Sequence, residues 1–253
     1  MRTLSAIGRI FYGVSMAALG ILTIVYKDFP YMMIPPKHSW LTDHVVITYI
    51  AGAFLLFTGS CIAMGKMVRP VSLLLGSVLL LVFCFYFVPY ELFVSGTYSR
   101  FGAWENAAKE LTLASGALVI AGRYPGIVLY ALTIISYSID HFIYGRQAAD
   151  YVPAWIPSHV FWIYFAGAAL LGAGIGILLN IRREIMAMLL GTMIFIWVLI
   201  LHLPKAMANP VDKTSGEVTS LFLALAYSGI AFVIAAAPGV KTSPKQSLSY
   251  ARQ

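Results

Sequence analysis

Apolar runs of about 20 residues, separated by short polar segments, make up almost the whole chain. An α-helix rises about 1.5 Å per residue, so one such run crosses the roughly 30 Å hydrocarbon core of a bilayer. Of the 253 residues, 60% are hydrophobic and 11% are charged. This pattern predicts an all-α integral membrane protein with eight transmembrane helices, at residues 5–26, 44–64, 70–89, 105–122, 125–145, 158–179, 185–204 and 217–237.

The positions of the charged residues predict how the chain is oriented in the membrane. With the N-terminus in the cytoplasm, ten of the 17 Lys and Arg fall in the inner segments, and nine of the ten acidic residues fall in the outer ones. Lys and Arg favour the cytoplasmic side, and an even number of spans returns the chain to its starting side. Both termini are therefore predicted to be cytoplasmic, and the basic charge indicates a lipid bilayer as partner rather than nucleic acid.

The chain repeats itself at an offset of 115 residues. The segment HVVITYIAGA, which starts at His44, recurs as HVFWIYFAGA from His159. The same offset pairs further residues, namely Trp40 with Trp155, Gly59 with Gly174, Gly76 with Gly191 and Pro89 with Pro204. Upstream the offset becomes 118 and pairs Tyr12 with Tyr130. Internal repeats of this length predict two four-helix units in the same orientation, at 1–122 and 123–240, followed by a cytoplasmic tail at 241–253.

Polar residues that occur only in the second unit are the candidates for a site. Asp140 and His141 align with Leu22 and Thr23 of the first unit, and His202 aligns with Phe87. Residues needed only for packing would be expected in both units. We therefore expect Asp140, His141 and His202 to carry proton chemistry near the outer face, where charged groups cost less than at the bilayer centre. Capping of helices at a wet surface is the alternative.

An aromatic stripe accompanies these residues on the fifth predicted helix. Tyr130, Tyr137 and Tyr144 are seven residues apart, and His141 lies between the last two on the same face. The stripe predicts either a packing face or a wall for a flat ligand, held by Tyr137 and Tyr144 with His141 as the polar group.

The outer edge of this predicted ligand site adds Trp155 and His159. In the first unit, His44 occupies the position that aligns with His159. A histidine in both units favours an interfacial or helix-start role for both residues. On the fourth helix, Glu105 and Lys109 form an i,i+4 pair that is expected to be structural.

The run DHFIYGRQAADYVPAWIPSHVFWIYFAGAALLGAGIGILL, from Asp140 onward, resembles the DoxX family of small bacterial membrane proteins. The resemblance rests on a His-Phe pair near the end of a first helix, the VPAWIP segment and a glycine-rich second helix. Trp104 and Asn106 also match the W-x-N pattern with which the fourth helix of the family starts. It extends from Gly126 to about Pro204, and the first unit matches only through the repeat. It implies a four-helix unit in the bacterial cytoplasmic membrane, and some members are the membrane part of thiosulfate:quinone oxidoreductase.

Three functional hypotheses follow. In the first, the protein is a redox-linked membrane subunit that holds a quinone-like ligand near the outer face and works with a partner redox subunit. His141 or His202 then hydrogen-bonds a quinone oxygen and passes its proton outward through Asp140. In the second, the chain is a non-catalytic accessory or assembly subunit that docks a partner through its outer loops. In the third, paired histidines bind haem, although no metal-ligand spacing is present in the sequence and no metal site is predicted.

Overall fold

A computed structural model of the chain describes residues 2–30, 45–210 and 216–237. Within these ranges every regular element is helical, and eight helices dominate. They are α1 (Arg2–Tyr26), α2 (Val45–Met64), α3 (Val68–Phe93), α4 (Glu105–Ile120), α5 (Tyr124–Ile143), α6 (His159–Leu178), α7 (Arg183–Ala208) and α8 (Glu217–Ala236). His44, Trp40 and the predicted tail at 241–253 lie outside the described residues.

Seven of the eight helices are long and apolar enough to cross a membrane. The prediction of an all-α, multi-pass membrane protein is thus confirmed for the described chain. The remaining helix, α4, has 16 residues and carries Glu105, Lys109 and Glu110. A 3-10 turn at Phe101–Trp104 leads directly into α4, so the helical segment extends further toward the N-terminus than α4 alone.

Two helices continue past the prolines at which the sequence predicted them to end. α3 reaches Phe93 and α7 reaches Ala208, beyond Pro89 and Pro204 respectively. Proline has no N–H to donate, and its ring crowds the carbonyl four residues earlier. That carbonyl lies within a π-helical turn in both helices, at Phe83–Phe87 and Val198–His202. The wider turn accommodates the proline ring, so each helix continues instead of stopping.

Backbone conformations also coincide at the 115-residue offset. The helix start is left-handed at Met67, with φ of 46°, and again at Arg182, with φ of 47°. Two residues earlier, Gly65 and Asn180 also have positive φ angles, of 76° and 57°. The turns before α3 and α7 therefore have the same shape, although they share no residue type at these positions.

The first helix of each predicted unit packs against two others. α1 packs along α2 and α8, and α5 packs along α6 and α4. α3 packs on α4, α7 packs on α8, and α4 and α8 touch each other. α8 is the most enclosed of the seven candidate spans, with 67% of its apolar window buried. The bundle is therefore built around α8 and its neighbour α4.

Small residues bring several helix pairs into close contact. A Cβ atom added at Gly229 of α8 would lie 2.5 Å from the carbonyl oxygen of Gly8 on α1. One added at Gly52 of α2 would lie 2.9 Å from the carbonyl oxygen of Gly20 on α1. In lipid, van der Waals contact must drive helix association, so such approaches stabilise the bundle.

Two tyrosines that the repeat pairs make equivalent contacts in the core. Tyr12 and Tyr130 are both fully buried. The Tyr12 hydroxyl donates to the carbonyl oxygen of Leu113 on α4 at 2.7 Å, and the Tyr130 hydroxyl donates to that of Tyr227 on α8 at 2.8 Å. Each hydroxyl thus links the first helix of a predicted unit to the last helix of the same unit.

Candidate functional site

A cavity of about 360 Å³ lies between α4, α5, α6, α7 and α8. Its walls are mainly apolar, and a small number of polar side chains from α4, α5, α7 and α8 reach it. A volume near the lower end of the roughly 300–1,000 Å³ typical of ligand pockets suits a small ring rather than a large molecule. Four of the sequence-predicted residues line it, namely Tyr137, Asp140, His141 and His202.

α5 supplies one polar wall of the cavity. The ring Nδ1 of His141 lies 2.7 Å from the carbonyl oxygen of Tyr137, one turn earlier on the helix. A carbonyl can only accept, so Nδ1 donates its hydrogen to it, and Nε2 of the neutral ring remains as an acceptor. Gly167 on α6 leaves room for this arrangement, because a Cβ added there would lie 2.9 Å from the His141 Cβ. The glycine of the repeated AGA segment therefore determines how closely α6 approaches His141.

Two polar atoms at the cavity are buried and make no hydrogen bond within the described chain. They are Oδ1 of Asp140 and Nδ1 of His202. Leaving a buried polar group without a partner costs about 1–3 kcal/mol. His202 is the last residue of the π-helical turn in α7, whereas its counterpart Phe87 ends the equivalent turn in α3 and is fully buried. The two turns thus have the same backbone conformation, but at the last position α7 carries an imidazole and α3 carries a phenyl ring.

Aromatic rings form another wall. The rings of Tyr137 and Tyr227 stack with their centroids 5.9 Å apart and their planes inclined by 20°. The Tyr137 hydroxyl lies 3.0 Å from the Thr112 hydroxyl and 3.3 Å from that of Tyr227. These contacts hold both phenols in place. Trp162 and Trp197 also line the cavity, so it offers flat faces next to polar groups.

α4 contributes two residues to the cavity that the sequence did not identify as part of a site. Glu105 and Lys109 form the expected i,i+4 ion pair, with 2.7 Å between Nζ and Oε1, but both also line the cavity. Residues of both predicted units therefore enclose the cavity, because α4 packs against α5 and α8. The charges on an otherwise apolar helix were the available signal. Their i,i+4 spacing predicted only a structural pair.

The other three predicted site residues lie elsewhere. The Tyr144 hydroxyl accepts a hydrogen bond from the Gly102 amide at 3.1 Å and so fixes the segment before α4. Trp155 is 72% exposed and lines a neighbouring groove, and His159 begins α6 outside the cavity lining. The three tyrosines of the stripe therefore have different surroundings, with Tyr130 in the core, Tyr137 at the cavity and Tyr144 beside the segment that precedes α4.

The described residues contain no group of three His, Cys, Asp or Glu side chains placed to hold a metal ion. Comparison of the chain with known protein families, with characterised proteins and with solved structures finds no match.

Proposed function

We propose that the cavity binds the ring of a quinone-like ligand and that the protein is a redox-linked membrane subunit. The observation that carries the proposal is a pair of buried atoms that have no hydrogen-bond partner among the described residues, Asp140 Oδ1 and His202 Nδ1. They lie at an aromatic-lined cavity next to the Nε2 acceptor of His141. A flat ring with oxygen atoms at its edge would stack on the aromatic wall and supply the missing partners.

The polar groups of the cavity suit both redox forms of such a ring. The hydroxyl groups of a hydroquinone donate hydrogen bonds, which His141 Nε2 and the Asp140 carboxylate accept. The carbonyl oxygens of a quinone accept, and the Lys109 ammonium at the cavity can donate. The two forms differ by two electrons and two protons. A partner redox subunit exchanges the two electrons. One ring oxygen gives its proton to His141 Nε2 and the other gives its proton to the Asp140 carboxylate, and both protons leave through Asp140 to outer water.

The proposed setting is a bacterial cytoplasmic membrane, as the DoxX resemblance implies. The chain crosses it eight times, with α4 as the fourth crossing, and both termini are cytoplasmic. Its two units are parallel repeats that exchange partners, since α1 packs on α8 and α5 on α4. The matching π-helical turns and left-handed residues support this relation.

A reporter active only outside the cytoplasm, fused after Gln253, should be silent. A strong signal would contradict the topology.

The central test is ligand binding by the purified protein in lipid nanodiscs. Wild-type protein should bind a short-chain benzoquinone, measured as quenching of tryptophan fluorescence, because Trp162 and Trp197 line the cavity. His141→Leu should weaken binding about tenfold, the effect of losing roughly 1.4 kcal/mol. Phe142→Leu is the matched control, since Phe142 is its exposed neighbour on α5 and lies outside the cavity lining. Equal binding by wild type and His141→Leu would refute the assignment.

An accessory role is the second candidate, and the outer linker between α5 and α6 favours it. Tyr151 is 59% exposed and Trp155 is 72% exposed, and the Lys205 ammonium lies 4.2 Å from the centre of the Tyr151 ring. Exposed aromatics of this kind suit either the membrane interface or a partner protein. If Trp155→Ala removes a copurifying polypeptide while the purified wild-type protein binds no quinone, the accessory role explains the chain better.

A further inference from the structure

A second depression lies on the outside of the bundle between α6 and α7. It is a groove of about 880 Å³ with almost entirely apolar walls. Trp162, Met193 and Trp197 line both this groove and the cavity. The two spaces are therefore adjacent and share part of their walls. The groove lies along two candidate membrane spans, so its open side faces the region that lipid occupies.

Gly172 gives the groove its depth. A Cβ added at this position of α6 would meet no other atom within 4 Å. At the 115-residue offset, the corresponding residue in α2 is Phe57, which is 57% exposed. The second unit thus has open space where the first has an aromatic ring. The helix does not need this glycine for close packing, because nothing lies against it.

We propose that the groove holds the hydrocarbon tail of the ligand whose ring occupies the cavity, and that this ligand enters sideways from the bilayer. The inference rests on the proposed function, since it assigns the class of ligand as a ring with a long isoprenoid or alkyl chain. A long isoprenoid chain needs more space than a cavity of about 360 Å³ offers beside the ring, and the adjacent groove of about 880 Å³ shares three side chains with that cavity.

The groove provides a path and adds little to affinity. Lipid tails are as apolar as its walls, so moving a hydrocarbon chain from the bilayer into it gains little free energy. Blocking the groove should therefore exclude a tailed ligand by steric conflict and leave a tail-less ligand unaffected. This difference separates a tail path from a crevice that merely fills with lipid.

The experiment compares two benzoquinones with the same ring, one bearing a methyl group and the other a decyl chain, by tryptophan quenching in nanodiscs at matched mole fractions in lipid. The proteins are wild type, Gly172→Phe, Gly172→Ala and, as a bulk control, Ile175→Phe. Ile175 is exposed on the same helix and does not line the groove. Gly172→Phe introduces the residue that α2 carries at the aligned position.

Wild type, Gly172→Ala and Ile175→Phe should bind both quinones with dissociation constants that agree within threefold. Gly172→Phe should bind the methyl compound like wild type and the decyl compound at least tenfold more weakly. Unchanged decyl binding by Gly172→Phe would overturn the tail path and indicate that lipid chains alone fill the groove. Failure of wild type to bind the decyl compound while it binds the methyl compound would also overturn it. Failure to bind either compound would instead refute the quinone site itself, and the tail path with it.

Discussion

Replacing His202 with the residue of the first unit should separate stability from ligand binding. In His202→Phe, the buried Nδ1 atom that lacks a partner within the described chain is removed. Such an atom costs about 1–3 kcal/mol, so the variant should be as stable as wild type or more stable by about 1–2 kcal/mol. The larger ring has room, because position 202 borders a cavity of about 360 Å³. Binding of the short-chain quinone should weaken about 5- to 30-fold, the equivalent of roughly 1–2 kcal/mol.

The reciprocal variant, Phe87→His, is the control. Phe87 is fully buried at the equivalent π-helical turn, so an imidazole there has no solvent contact and should destabilise the protein by about 1–3 kcal/mol without changing quinone binding. Thermal unfolding in nanodiscs and tryptophan quenching measure the two effects. A His202→Phe protein that loses more than about 1 kcal/mol would show that the histidine stabilises the fold, and the reasoning from its unpartnered atom would be refuted.

Two further predictions concern the helix contacts. Gly229→Ala should destabilise the protein by about 1–3 kcal/mol or prevent α1 from packing on α8, because the new Cβ would lie 2.5 Å from the Gly8 carbonyl oxygen. Gly172→Ala, which meets no neighbour, should leave the unfolding temperature unchanged, and equal losses in both would contradict the packing argument. Tyr12→Phe and Tyr130→Phe should each cost about 0.5–1.5 kcal/mol in unfolding free energy, because each removes one buried hydroxyl–carbonyl bond. A large effect at one position and none at the other would contradict their equivalence.

Hydrophobic runs were sufficient to predict the helical membrane class, because a bilayer accepts few other structures. They predicted six of the eight helix ends to within two residues, but not the ends of α3 and α7. The predicted spans ended at Pro89 and Pro204, yet α3 and α7 continue through π-helical turns. The sequence signal for a proline is local, whereas continuation depends on the packing of the whole helix against its neighbours. The contribution of α4 to the cavity also depends on packing. The spacing of Glu105 and Lys109 predicted an ion pair within the helix, but not that both residues line the cavity.

The repeat was the most informative guide to the candidate site, because it distinguishes residue types that occur at aligned positions of both units from those that occur in one unit only. Asp140, His141 and His202 have apolar or uncharged counterparts, and the structure places all three at one cavity. The tyrosine stripe was less informative. Helical spacing specifies a face, but Tyr144 meets the linker at Gly102 while Tyr137 meets Tyr227. The neighbour that a helix face contacts depends on tertiary packing, so the residue pattern of one helix cannot predict that neighbour.

The exchange of partners between the two predicted units explains how one cavity can arise in a repeated chain. α4 packs on α5, so the cavity next to α5 receives Lys109 as well as the polar residues of α5 and α7. The equivalent position beside α1 is covered by α8, whose apolar window is 67% buried. In the first unit, the positions of Asp140, His141 and His202 are occupied by Leu22, Thr23 and Phe87. The position of Gly172, which lines the groove, is occupied by Phe57. Differences at a few aligned positions thus distinguish the half that holds the cavity and the groove from the other half, and these differences support the lateral path that we propose.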